Sequence, residues 1–108
     1  MNLPDKEAKM LSDFLIFNRE NPGIYRLFHK FAQQALQSGR QRYSSWAIAN
    51  AIRWHSDIVV RTKDFKLPNN YIAAYARLWI QRNPKHRGLI AIKRSMWDGL
   101  DLKTLVET

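Results

Sequence analysis

Residues 68–84, Pro68-Asn69-Asn70-Tyr71-Ile72-Ala73-Ala74-Tyr75-Ala76-Arg77-Leu78-Trp79-Ile80-Gln81-Arg82-Asn83-Pro84, read as one helix set between two stops. Pro68, Asn69 and Asn70 break the chain and offer caps, and Asn83-Pro84 ends what they begin, so a helix is expected over 71–82. Ile72, Tyr75, Ala76, Trp79 and Ile80 recur at helical spacing and form its apolar stripe. That phase leaves Asn70, Ala73, Ala74, Arg77 and Gln81 on the other faces, as the side chains expected to be free.

Upstream, Ser44 or Ser45 can cap a helix running to about residue 58, with Trp46 or Ala47, Ile48, Ala51, Ile52 and His55 placed for burial. Helices at 44–58 and 70–82, the second opening on Asn and presenting Arg and Gln, make the pattern of a helix-turn-helix. Their connection of about ten residues is longer than the usual tight turn. It carries Val59, Val60, Thr62, Phe65 and Leu67, so an extended or hairpin segment is expected over 58–67, and a winged arrangement fits better than the simplest one.

Two helices precede this pair. Ala8, Leu11, Phe14 and Leu15, with acids near the start, mark 5–17. Asn21 as cap, Pro22 in the first turn and Gly39 at the end frame the second, whose stripe is Ile24, Leu27, Phe28, Phe31, Ala32, Ala35 and Leu36. Residues 40–42 form a basic neck. Downstream, Leu89, Ile90 and Ile92 between basic flanks suggest a short strand or wing arm at 88–94, and Leu100, Leu102, Leu105 and Val106 a last helix within 96–106. The expected fold is mainly α with a small β element, one helix-turn-helix or winged-helix-like domain over 1–108. The lack of a terminal cap raises the expectation of an excised N-terminal domain of a larger protein.

Charge is unevenly spread. Eighteen Lys and Arg stand against nine Asp and Glu, for a net +9 and a pI near 10.3. Both ends are slightly acidic, so residues 21–97 hold fourteen Lys and Arg against only Asp57 and Asp64, a net +12. Such a field draws polyanions, and nucleic acid is the expected partner. With no cysteine, disulfides and thiolate metal sites are excluded. A polar start and the absence of a long apolar run point to an unexported, cytoplasmic protein with no membrane partner.

Catalytic groups are sparse. His55, two residues before Asp57 and near Arg53 and Lys63, is the best case for a metal-dependent nuclease. A partly buried helical His55, with Asp57 balancing nearby arginines, accounts for the pair more simply. His29 and His86 lack metal-ligand spacing, and Gly23, Gly39, Gly88 and Gly99 are too scattered for a phosphate loop. No enzyme, cofactor, metal or small-molecule substrate is expected.

Base reading is assigned to Asn69, Asn70, Ala74, Arg77 and Gln81, since Asn, Gln and Arg pair with base edges in the major groove and Ala suits a thymine methyl. Phosphate contact, which needs charge and little geometry, is assigned to Arg40, Arg42, Lys63, Lys66, Lys85, Arg87, Lys93 and Arg94. Tyr43, Trp46, Trp54, Phe65, Tyr71, Tyr75, Trp79 and Trp97 interleave with these charges. They are expected to be mostly core, with Tyr71 the most exposed, and a stacking platform for single strands is the minority alternative.

Phe17-Asn18 with Asn21-Pro22, Gly39-Arg40 with Tyr43-Ser44, Ile52-Arg53-Trp54-His55, Phe65-Lys66-Leu67 with Asn69-Asn70-Tyr71, and Tyr75-Ala76-Arg77-Leu78 resemble a family of small, largely uncharacterised bacteriophage and mobile-element proteins. The resemblance covers roughly residues 14–84. It implies no particular activity, and Pro68 stands where the pattern would have a third Asn. A weaker resemblance is to the DNA-binding domains of phage-satellite replication initiators, which implies recognition of an origin in DNA replication.

Together these readings lead to sequence-specific binding of double-stranded DNA, with a homodimer to match paired half-sites. The rival is a phage-encoded inhibitor of a host nuclease or other protein, working in the host cytoplasm through the same charges.

Overall fold

The computed structural model describes residues 4–61 and 65–106. The chain folds as a mainly helical domain around one buried helix, α4 (Asn69–Arg82). Its radius of gyration of 13.8 Å is close to the roughly 13 Å expected of a single domain this long.

α1 (Asp5–Glu20) starts after Pro4 with Asp5 and Glu7 in its first turn, where the helix dipole favours acids. It buries Phe14 and Asn18. Asn21 closes this helix rather than opening the next: its backbone N–H and its side-chain amide both donate to Phe17 O, each at 2.9 Å. α2 (Gly23–Gln37) instead follows Pro22 and turns Ile24, Phe28, Ala32 and Ala35 inward, as its stripe predicts. Gly39, at φ 88°, ends it, with Arg40 N–H bonded to Ala35 O and Gly39 N–H to Leu36 O. This is the two-bond close that a left-handed glycine allows.

β1 (Tyr43–Ser44) pairs in parallel with β2 (Ile90–Ala91), Tyr43 opposite Ile90 and Ser44 opposite Ala91. Ser44 then caps α3 (Ser45–Trp54), its hydroxyl accepting from Trp46 N–H at 3.1 Å. Beyond Trp54 the helix widens into a π-helical turn, His55–Val59, closed by Val60 N–H to His55 O at 3.0 Å. The extended segment expected from the β-branched residues is therefore helical at its start. It ends at Arg61, in the left-handed region at φ 61°, and residues 65–68 have no regular structure. Only the 90–91 part of the expected strand at 88–94 forms, and the expected last helix shrinks to α5 (Leu102–Leu105), capped by Asp101.

α4 begins two residues earlier than expected, after an extended Pro68, and ends where Asn83 N–H bonds Ile80 O and the Asn83 amide bonds Trp79 O. Ile72, Ala74, Tyr75, Ala76, Arg77, Leu78 and Trp79 are all buried, so nearly the whole circumference is covered. Phe14 enters from α1 and meets Tyr71, Tyr75 and Trp97 with ring centroids 5.5, 5.0 and 5.4 Å apart. Two polar pairs lie within the core. Tyr75 Oη donates to Asn18 Oδ1 at 3.0 Å, and Trp79 Nε1 donates to His29 Nδ1 at 3.0 Å. Burial pushes the Tyr75 phenol above its ordinary value, so it stays a neutral donor.

Removing the ring at the centre of this cluster leaves a cavity the helices cannot close. Phe14→Ala is expected to lower the unfolding free energy in urea by about 4 kcal/mol, and Phe14→Leu by less than about 2 kcal/mol.

Candidate nucleic-acid interface

The face of α4 assigned to base reading is covered by the C-terminal segment. Ala74 is fully buried and Arg77 is 6% exposed. Arg77 Nε donates to Asp98 Oδ1 at 2.9 Å, Nη1 to Ala73 O at 3.1 Å, and Nη2 to Lys93 O. Gln81 Nε2 donates to Leu100 O at 2.8 Å, and its Oε1 accepts from Lys103 N–H at 2.9 Å. The side chains of Arg77 and Gln81, expected to contact bases, are instead bonded within the chain, and that of Ala74 has no exposed surface. Asn69 and Asn70 are exposed in the first turn, and neither supplies a side-chain cap. They also part company: Asn69 lines a groove against α3, whereas Asn70 lies beside Lys6, Lys9, Asp13 and Tyr71 on the α1 side.

That groove, about 610 Å³ in volume, is where the expected contacts gather. Arg42 and Trp46 stand on one side, at the entry to β1 and the first turn of α3. Lys93 and Arg94 stand on the other, just beyond β2. Ile72, Ala73, Ala91 and Ile92 supply apolar lining, and Ser44, Ser45 and Asn69 add polar groups. No carboxylate lines it among the described residues. The parallel bridge between β1 and β2 fixes the two walls, since Tyr43 N–H also bonds Leu89 O at 2.7 Å. Arg53 fixes a third element: its guanidinium reaches Leu67 O at 2.7 Å and Asn69 Oδ1 at 3.2 Å, tying α3 to the start of α4.

The other expected phosphate contacts lie apart. Arg40 sits over the Tyr43 ring at 5.8 Å, beside a pocket lined by Phe31, Gln34 and Ser38. Lys66, Lys85 and Arg87 are exposed but line no part of the groove, and Lys63 falls outside the described residues. No known protein family, curated protein or solved structure matches the chain.

Trp46 is the residue that sequence reasoning misplaced. It is 51% exposed and Trp54 60%, whereas Tyr71, expected to be the most exposed aromatic, is half-buried between Phe14 and Phe17. The signal was in the helical phase. Ile48, Ala49 and Ile52 are the buried positions of α3, and Trp46 and Trp54 fall with Asn50 and Asp57 on the opposite face.

His55 packs edge-on against Phe31 at 6.4 Å, and its Nδ1 is buried without a hydrogen-bond partner, while Asp57 is exposed. No group of three or more metal-capable side chains gathers among the described residues, and no described helix is long and apolar enough to cross a membrane.

Asp98 holds Arg77 in place. The Ser95 N–H, and then the Arg77 guanidinium, keep its carboxyl below the ordinary value of 3.8. A lowered folded-state value means that the group stabilises the fold fully above pH 3.8 and that this contribution is lost as the pH falls through the lowered value. Asp98→Asn is therefore expected to be less stable than the parent near neutrality and to lose less stability on acidification, as read by urea midpoints at pH 6 and about pH 3.

Proposed function

We propose that this chain is a nucleic-acid-binding domain in which the phosphates of the partner lie along Arg42, Lys93 and Arg94. The observation that carries the reading is a groove with cations on both walls and no carboxylate among its described lining residues. Exposed Lys and Arg that converge in this way attract phosphate. The +12 charge of residues 21–97 adds long-range attraction. α4 serves as the scaffold for this site and makes no base contact through Ala74, Arg77 or Gln81.

A second copy of the chain is the partner we propose for another surface. Trp54, Ile58, Val59 and Val60, at the end of α3 and in the π-turn, are 53–60% exposed. Apolar side chains clustered in this way mark association surfaces. Asp57 and Arg61, the charges in this stretch, form no ion pair within the described residues. Across a two-fold axis each meets the opposite charge of the other copy. Sedimentation is expected to show a concentration-dependent dimer that Ile58→Lys converts to monomer, and a parent that remains monomeric at high concentration overturns this reading.

Binding to nucleic acid is expected to weaken steeply with salt. Arg42→Ala and Lys93→Ala should each reduce the log–log salt slope by about 1, the signature of one lost phosphate contact. Lys85→Ala, beyond the far end of a helix about 21 Å long, should leave the slope nearly unchanged. Affinity indifferent to salt, or equal effects at Lys85 and Lys93, sinks the assignment.

A further inference from the structure

We infer that the groove takes a single strand, with an unpaired base stacked on the indole of Trp46; the inference rests on the nucleic-acid reading above and names its substrate class.

Four tryptophans divide into two pairs. Trp79 and Trp97 are at 0% and 1% exposure in the core, whereas Trp46 and Trp54 are more than half exposed. Of the exposed pair, only Trp46 lines the groove. An indole left in water keeps a large apolar face unpaired, and Trp46 makes no side-chain hydrogen bond or ring contact among the described residues. Its position is set from both directions along the chain. Its backbone N–H is held by the Ser44 hydroxyl, and Ser44 is itself paired to Ala91 across the parallel bridge. The backbone that carries the ring is thus fixed beside the groove that Lys93 and Arg94 also line, so that less ordering remains to be done on binding.

The shape of the site separates a single strand from a duplex. Duplex base edges are reached by an element that protrudes into the major groove. Here the helix expected to protrude is buried, and the cations line a concavity. About 610 Å³ is the size of a small-ligand pocket, and a strand enters it only one or two nucleotides at a time. In a duplex both faces of a base are already stacked, whereas an unpaired base offers its face to an aromatic ring while its phosphates follow the cations. The apolar lining of Ile72, Ala73 and Ala91 suits the rest of the base. Asn69, whose Oδ1 is occupied by Arg53, keeps its amide N–H groups for a base edge, and the Ser45 hydroxyl stands beside it. Arg77 also lines the groove, but its Nε, Nη1 and Nη2 are committed to Asp98 and to two carbonyls, so the attraction comes from the rim.

The test is fluorescence anisotropy of the full chain with labelled oligothymidylate, oligouridylate and a hairpin duplex, for the parent, Trp46→Ala, Trp46→Phe and Lys93→Ala. Thermal melting establishes that each variant is folded. The parent is expected to prefer the single strands, either sugar counting in favour. Trp46→Ala should weaken single-strand binding by about tenfold or more, with the salt slope retained and Trp46→Phe recovering part of the loss. Lys93→Ala should flatten the salt slope instead. A duplex bound as tightly as a single strand, or a change of less than about twofold in Trp46→Ala while Lys93→Ala still weakens binding, overturns the stacking inference and leaves the phosphate-binding groove standing. Failure of all three oligonucleotides to bind at low salt overturns both.

Discussion

A helix covered on nearly every side sets the terms for the rest of this structure. α4 buries Ile72, Tyr75, Leu78 and Trp79 in different directions, and each covering element answers one of them. α1 brings Phe14, α2 brings Phe28, α3 brings Ile48 and Ile52, and the C-terminal segment brings Trp97 and Leu102. Covering a helix so completely also requires a partner for every polar atom it carries, because an unmatched buried group costs about 1–3 kcal/mol. Asn18, His29, Asp98 and the Leu100 carbonyl are therefore parts of the same solution. The demand reaches across the chain: Tyr75 is matched 57 residues away and Trp79 50 residues away.

The cover ends at the first turns of α4, and the groove lies there. Segments 42–46 and 91–95 approach from opposite sides and are joined by a bridge of only two residue pairs. Little apolar surface remains to be covered at this point, and what does remain, Trp46 and Ile92, is left at 51% and 45% exposure. A partner that brings its own apolar faces and negative charge completes the surface. Both features belong to nucleotides, and the nearby Asp98 carboxylate is already bonded to Arg77 and to Ser95 N–H.

Local features were legible in the sequence. The α2 stripe, the Gly39 close, the Ser44 cap and the Asn83-Pro84 stop are each decided within a turn or two of chain, and each stands where the residues placed it. The features that were not legible depend on distant partners. Nothing near Arg77 announces that Asp98, 21 residues on, will neutralise it, so an arginine off the apolar stripe reads as solvent-facing when it is buried. Gln81 is the same case, its amide and carbonyl both taken by residues from 100 onward. The β-branched run after Trp54 failed for another reason. Its opening residues continue an existing helix as a π-turn, and the backbone bond from Val60 to His55 outweighs strand propensity where no strand lies alongside to pair with. For the site, the charges were legible as a list but not as a place. Arg42, Lys93 and Arg94 come together only through a parallel pairing between residues 47 apart, Tyr43 and Ile90, and no local pattern encodes that pairing.

The positive charge of the chain also divides between groups bonded within the fold and groups exposed at its surface. Arg77 is buried and Arg53 and Arg82 are partly so, and each acts as a staple: Arg53 to Leu67 O and Asn69, Arg77 to Asp98 and Lys93 O, and Arg82 to Val106 O while lying 4.7 Å from the Tyr25 ring. A planar fork with five donors can join two or three acceptors at once and lie flat on a ring, which a lysine ammonium cannot do. Every described lysine is exposed, as are Arg19, Arg26, Arg40, Arg42, Arg61, Arg87 and Arg94. The net +12 of the middle of the chain is therefore not one polycation aimed at a partner. Part of it is spent inside, where a neutralised guanidinium holds the groove lining to the C-terminal segment, and the part available for binding is the rim. Binding strength and stability are thus carried by different arginines within one groove, with Arg77 buried in its lining and Arg42 and Arg94 exposed. Loss of an edge charge and loss of the buried one are then distinct events: the first weakens a complex and the second loosens the wall on which the complex forms.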